Sequence, residues 1–119
     1  MPDLTRQQLI AILAVTEHAR LSGVDLSGLD LRGLNFAGAD LIRANLSQAD
    51  LSYAYMRGAR LEEANLEGTK LVNANLKEAS FKGANLTGAD LTDASLKDVN
   101  FYGANFQNVR PAELQGLQK

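Results

Sequence analysis

His18 is the only histidine of the chain, and acid–base or metal chemistry would have to begin there. Glu17 stands beside it. No cysteine and no second imidazole is present to complete a metal site, and no nucleophile is spaced for activation by it. It reads as an exposed residue of an N-terminal helix. Asp90, Asp93 and Asp98 recur at the intervals of a repeat and not as an acid–base pair. Arg57, Lys77 and Lys97 are spaced twenty apart and could follow a phosphate backbone. Glu78 and Asp98 adjoin two of them, which makes a mixed, solvated face. Asp25, Asn45, Asn65, Asn85 and Asn105 share the same spacing. They could form a polar strip for ligands; more simply, they are short side chains bonding the neighbouring backbone at corners. No phosphate loop is present. We assign no catalytic, metal or cofactor-binding residue and expect no cofactor.

Recognition is better served. Tyr53, Tyr55 and Val72 are outward aromatic or aliphatic residues expected on neighbouring positions, with Ile42 and Tyr102 on another side. Outward aromatics mark many recognition surfaces, so these five are the candidate partner surface.

The elements that hold these residues follow from a period of five. Large apolar centres recur eighteen times without insertion, from Leu21, Leu26, Leu31 and Phe36 to Phe101 and Phe106. Two residues before each lies a smaller apolar residue, usually alanine, with Asn or Asp between, as in Ala44-Asn45-Leu46. Period five matches neither a helix nor an alternating strand. It fits a short extended piece, in which positions two apart face inward together, followed by a turn. Gly28, Gly33, Gly38, Gly58, Gly68, Gly83 and Gly88 fall in those turns.

This A-(N/D)-L-x-x pattern resembles the pentapeptide-repeat family over about three quarters of the chain. In that family four pentapeptides make a square coil of 20 residues, and coils stack with strand-like hydrogen bonds. The resemblance implies an all-β solenoid, a right-handed quadrilateral β-helix of about 4.5 coils. One domain, 1–119, is expected: a capping helix within 4–20, the β-helix at 21–110 and a C-terminal cap or tail at 111–119.

A solenoid exposes a core cross-section at each end. At the first, Thr5 and Gln8 form a capping box, with Leu4 and Leu9 as the staple. We expect a helix over 6–19 burying Leu9, Ile12, Leu13, Thr16 and Ala19, with Val15 at the margin. At the other, Pro111 can start a helical turn over Ala112 to Gln115. In several family members the C-terminal coil is a dimer interface. Val99, Phe101, Phe106, Val109, Leu114 and Leu117 are therefore the candidate dimer end, against a self-capped monomer.

Composition narrows the partners. With 12 Lys and Arg against 14 Asp and Glu, the net charge is −2. This disfavours nucleic acid. No apolar run nears the roughly 20 residues needed to span a bilayer. With no cleavable leader pattern at the start, a cytoplasmic location is expected and no membrane partner. The reading is a non-catalytic structural or protein-interaction scaffold, its protein partner unknown. The alternative is the activity of one branch of the family, a DNA-like rod that binds DNA gyrase and protects it from quinolones. This chain is shorter, nearly neutral and uninterrupted.

Overall fold

The computed structural model describes residues Met1 to Leu117, the last by its backbone alone. Isolated parallel bridges run from Arg20↔Asp40 to Asp90↔Arg110, each joining residues twenty apart. Four pentapeptides therefore complete one turn, and equivalent residues stack in columns. The paired segments are too short to count as strands, which is why bridges replace ladders.

Most pentapeptides account for their five backbone N–H groups in one way. In the pentapeptide of Leu46, Leu46 N–H donates to the Asn65 carbonyl at 2.7 Å and Gln48 N–H to that of Glu67 at 2.9 Å, both in the next coil. Asn45 N–H reaches back to Val24 at 3.0 Å, and Ala49 N–H closes the turn onto Leu46 at 3.0 Å. The remaining donor, Ser47 N–H, is caught by the side-chain Oδ1 of Asn45 at 3.0 Å. The Asn or Asp of the motif thus supplies the acceptor that the coil itself lacks. Two residues after each centre the chain turns with positive φ, between 58° and 72° from Gly23 to Asn108, and His18 ahead of the first centre shares it at 54°. Glycine serves there without a side-chain clash; Arg43, Tyr53 and Glu63 are among the residues that do not have that freedom.

The centres and their alanines face inward as the period predicts. Leu46, Leu66 and Leu86 are all fully buried, as are Leu51, Met56 and Leu61. Thr69 takes an alanine position, fully buried, and donates its hydroxyl to the Leu46 carbonyl at 2.7 Å. That bond is what makes a hydroxyl tolerable in the core.

The N-terminal cover is α1, Arg6–Val15. Its capping box is formed in both directions: Gln8 N–H donates to Thr5 Oγ1 at 3.1 Å, and Thr5 N–H to Gln8 Oε1 at 2.9 Å. Leu9 is fully buried, with Leu4, Ile12 and Leu13 packed against the core. The Arg6 guanidinium donates to the carbonyls of Asp30 and Arg32 at 2.8 and 3.2 Å, and Asp3 exchanges backbone and side-chain hydrogen bonds with Asp25. These contacts cover the first coil's free edge. The helix is four residues shorter than the expected 6–19. Ala19 already occupies an inward repeat position and His18 has left-handed φ, so the chain leaves the helix at Thr16. Thr16 and Val15 are exposed, Val15 at 85%.

At the far end Ala112–Leu117 form a 3₁₀ helix, longer than the single turn expected. Leu114 packs on the core and the Gln115 amide donates to the Val109 carbonyl at 3.2 Å. Phe106 and Val109 are consequently buried. Ala94, Leu96, Val99 and Phe101 remain half-buried. Phe101 stacks on Phe81 at 5.5 Å and meets Phe106 edge-on at 4.8 Å.

Candidate functional site

Register sorts the outward residues into four sides, named here by the centre of the first coil. The Leu26 side carries Asp25, Asn45, Asn65, Asn85 and Asn105 in one column. Each accepts from the N–H two residues on: Ser27 at 2.9 Å, Ser47 at 3.0 Å, Glu67 at 3.1 Å, Thr87 at 3.0 Å and Gln107 at 2.9 Å. This column therefore builds corners. The charge content of this side is low, with Asp25 and Glu67 its ionisable members.

The Phe36 side holds Arg57, Lys77 and Lys97. Arg57 is paired with Glu78, Nη2 to Oε2 at 3.2 Å, and that hydrogen bond and charge hold the Glu78 carboxyl below its ordinary value. The basic stripe is thus partly neutralised. On the Leu31 side Arg32 donates to Asp30 through two nitrogens at 2.9 Å and lies 3.9 Å from Asp50. The Arg32 hydrogen bonds hold the Asp30 carboxyl far below the usual carboxylate range. Burial pushes the Asp90 carboxyl up; hydrogen bonds from Thr92, then Arg110 and Lys70, outweigh it and leave it lowered. Among the described residues no group of three His, Cys, Asp or Glu could hold a metal ion, and no helix is long and apolar enough to cross a membrane.

The aromatic candidates separate. Tyr53 and Tyr55 flank Ala54 at the corner between the Leu31 and Phe36 sides, exposed by 61% and 59%. Val72 lies one coil on, half-buried, and its carbonyl accepts from Tyr53 N–H at 2.9 Å. Tyr53 and Val72 are therefore neighbours, with Tyr55 two residues along the chain from Tyr53. Ile42 and Tyr102 share a column on the Leu21 side, but Glu62 and Lys82 occupy the two places between them. They are not part of the same patch. In the candidate dimer end, the Leu117 side chain lies outside the described residues, and Phe106 and Val109 are already covered by the chain's own C-terminal turn.

Both tyrosines depart from what the backbone asks of their positions. Tyr53 stands at φ 63°, where glycine is unstrained. Tyr55 occupies the place of the corner-building Asn or Asp, so Arg57 N–H receives no acceptor from it. Among the described residues nine other non-glycine ones share that positive φ; two exposed rings on one corner are what set this place apart.

One feature escaped the sequence. His18 is not a helix residue but lies in the link Thr16–His18. With Leu13, Thr16, Glu17, Asn35, Phe36 and neighbouring alanines it borders a cavity of about 240 Å³.

The pentapeptide-repeat family model matches the chain over residues 19–58, 39–77 and 74–110, in eight copies. The chain belongs to that family. No curated protein matches its sequence. Among solved structures, the pentapeptide repeat protein alr5209 from Nostoc PCC 7120 is 26% identical, with 98% of this chain and 94% of that one covered and a TM-score of 0.71. AT2G44920, a pentapeptide repeat protein from the Arabidopsis thaliana thylakoid lumen, is 34% identical over 88% of this chain and 77% of that one, with a TM-score of 0.51. Rfr23, from the cyanobacterium Cyanothece 51142, is 38% identical over 77% of this chain, at a TM-score of 0.44. The chain spans 60% of Rfr23. The family match and the first two of these structures imply a β-helix, in accord with the twenty-residue register.

Proposed function

We propose that this chain is a non-catalytic protein-interaction scaffold whose partner surface centres on Tyr53 and Tyr55, with Val72 beside them. The right-handed, four-sided coil of the family provides a body in which inward positions are fixed and outward ones are free to vary. The observation that carries the reading is the pair of exposed tyrosines at two positions where Gly and Asn would serve the fold better. Aromatic side chains of this kind supply large contact area with little entropy to lose. The test is a crosslinked pull-down from the source cell with the wild-type chain and the Tyr53→Gly, Tyr55→Asn double variant. A protein retained by the first and lost by the second supports the reading; identical retention overturns it.

A second reading is favoured by the half-buried Ala94, Leu96, Val99 and Phe101 at the C-terminal coil: a homodimer closed over this end. Sedimentation at several concentrations tests it, and a monomer throughout removes it. The gyrase-binding alternative draws no support from a surface on which acids and bases pair along the columns. Unchanged gyrase supercoiling with and without a quinolone would dismiss it.

A further inference from the structure

The repeat is broken at one place on its N-terminal side. α1 ends at Val15 and the regular coil begins at Ala19, leaving Thr16, Glu17 and His18 to bridge them. The bridge does not settle fully onto the coil beneath, and the 240 Å³ cavity remains there. Leu13 and Ala37 form its accessible apolar wall, with Phe36, Ala19 and Ala39 sealed beneath; Glu17, His18 and Asn35 bring polar groups to it. Asn35 uses its Oδ1 to accept from Ala37 N–H at 3.0 Å.

His18 is seated by a particular glycine. Its backbone is at φ 54°, and its ring lies so close over Gly38 that a methyl group there would stand 2.5 Å from His18 Cδ2. Of the corner glycines, only Gly38 and Gly68 are crowded this way by a side chain from the preceding turn. The imidazole is therefore placed by register, one turn above a residue with no Cβ.

Among the described residues no Lys or Arg lines the cavity. The last turn of α1 carries no basic residue, so the negative end of the helix dipole is left without a cation of its own. Glu17 adds a carboxylate. An anion would be repelled, and a purely apolar ligand would leave these acceptors unused.

We propose that this cavity binds a primary alkylammonium group. The hydrocarbon stem lies against Leu13 and Ala37. The ammonium, with three donors and no acceptor, sits at the rim beside Glu17 and His18, near the C-terminal end of α1. Two sources present this chemistry, a free small amine and a lysine side chain of a partner protein. This inference stands apart from the tyrosine surface and survives its failure.

The test is a titration of the full chain, labelled with ¹⁵N, by n-butylammonium and separately by a short peptide bearing one lysine. n-Butanol, butyrate and the same peptide with norleucine are the controls. Saturable amide shifts confined to Leu13, Glu17–Ala19 and Asn35–Ala39 are expected with an amine and not with the controls. Saturation by the peptide alone assigns the lysine of a partner; saturation by butylammonium assigns a free amine. Glu17→Gln should weaken binding about fivefold, the share of a solvent-accessible ion pair. Gly38→Ala should displace the imidazole and abolish binding while distant amides keep their positions. Equal shifts from butanol, no loss in Glu17→Gln, or no saturable shift with either amine would overturn the proposal.

Discussion

Replacing Tyr53 with glycine and Tyr55 with asparagine should make this protein more stable. Tyr53 is held at φ 63°. Left-handed backbone costs a residue with a Cβ about 1–2 kcal/mol, and glycine's freedom in the unfolded chain returns about 0.5–1 kcal/mol of that. Asparagine at 55 would accept from Arg57 N–H, as Asn45 accepts from Ser47 N–H at 3.0 Å. One such bond is worth about 0.5–1.5 kcal/mol. Against these gains stands the packing of two rings that are 61% and 59% in water. The net expectation is a gain of roughly 1 kcal/mol, or a melting temperature several degrees higher. Urea unfolding followed by far-ultraviolet circular dichroism, with the denaturant slope unchanged, measures it. A loss of about 1 kcal/mol or more would show that the rings brace the coil. The argument that they are retained for recognition would then fail.

Other expectations follow from the same structure. Leu66→Ala removes three carbons from a fully buried site between Leu46 and Leu86, and should cost about 2–5 kcal/mol; half-buried Leu96→Ala should cost less. Equal losses in the two unfolding curves would contradict the inward stacking. Acid should destabilise the fold. The folded carboxyls of Asp30, Glu78, Asp25 and Asp90 lie below their ordinary values, so the unfolded chain binds more protons as pH falls. Their contribution is complete above the ordinary carboxylate range, beginning to fade near Glu78's reference value of 4.5 and Asp30's of 3.8. Melting temperatures measured downward from pH 7 should hold and then drop below about pH 4.5, less steeply in Asp30→Asn.

The body of the fold is legible because inward and outward positions recur without interruption. Any assignment of Leu46 fixes Leu66 and Leu86 by the same step. The corner role of Asn45 and its column is legible too, since short amide side chains bond nearby backbone by habit. The end of α1 is not. Ala19 suits both the helical spacing from Leu9, Ile12 and Thr16 and the first inward place of the repeat, and periodicity cannot decide between them. The repeat took it. The position of His18 over Gly38 was hidden for a related reason: it depends on a turn that the repeat only half forms. The C-terminal cover was legible in outline from Pro111. That Phe106 and Val109 would be buried while Phe101 stayed half-open depends on how far the last residues fold back.

The twenty-residue register bears on how such a chain can change. Adding one pentapeptide in the middle would swing everything downstream through a quarter turn, moving Tyr102 to a new flank while every leucine still pointed at the axis. Adding four would lengthen the rod and leave each flank's inventory in line. Surface composition and interior integrity are thereby inherited almost separately, and new combinations of neighbours can arise by copying alone.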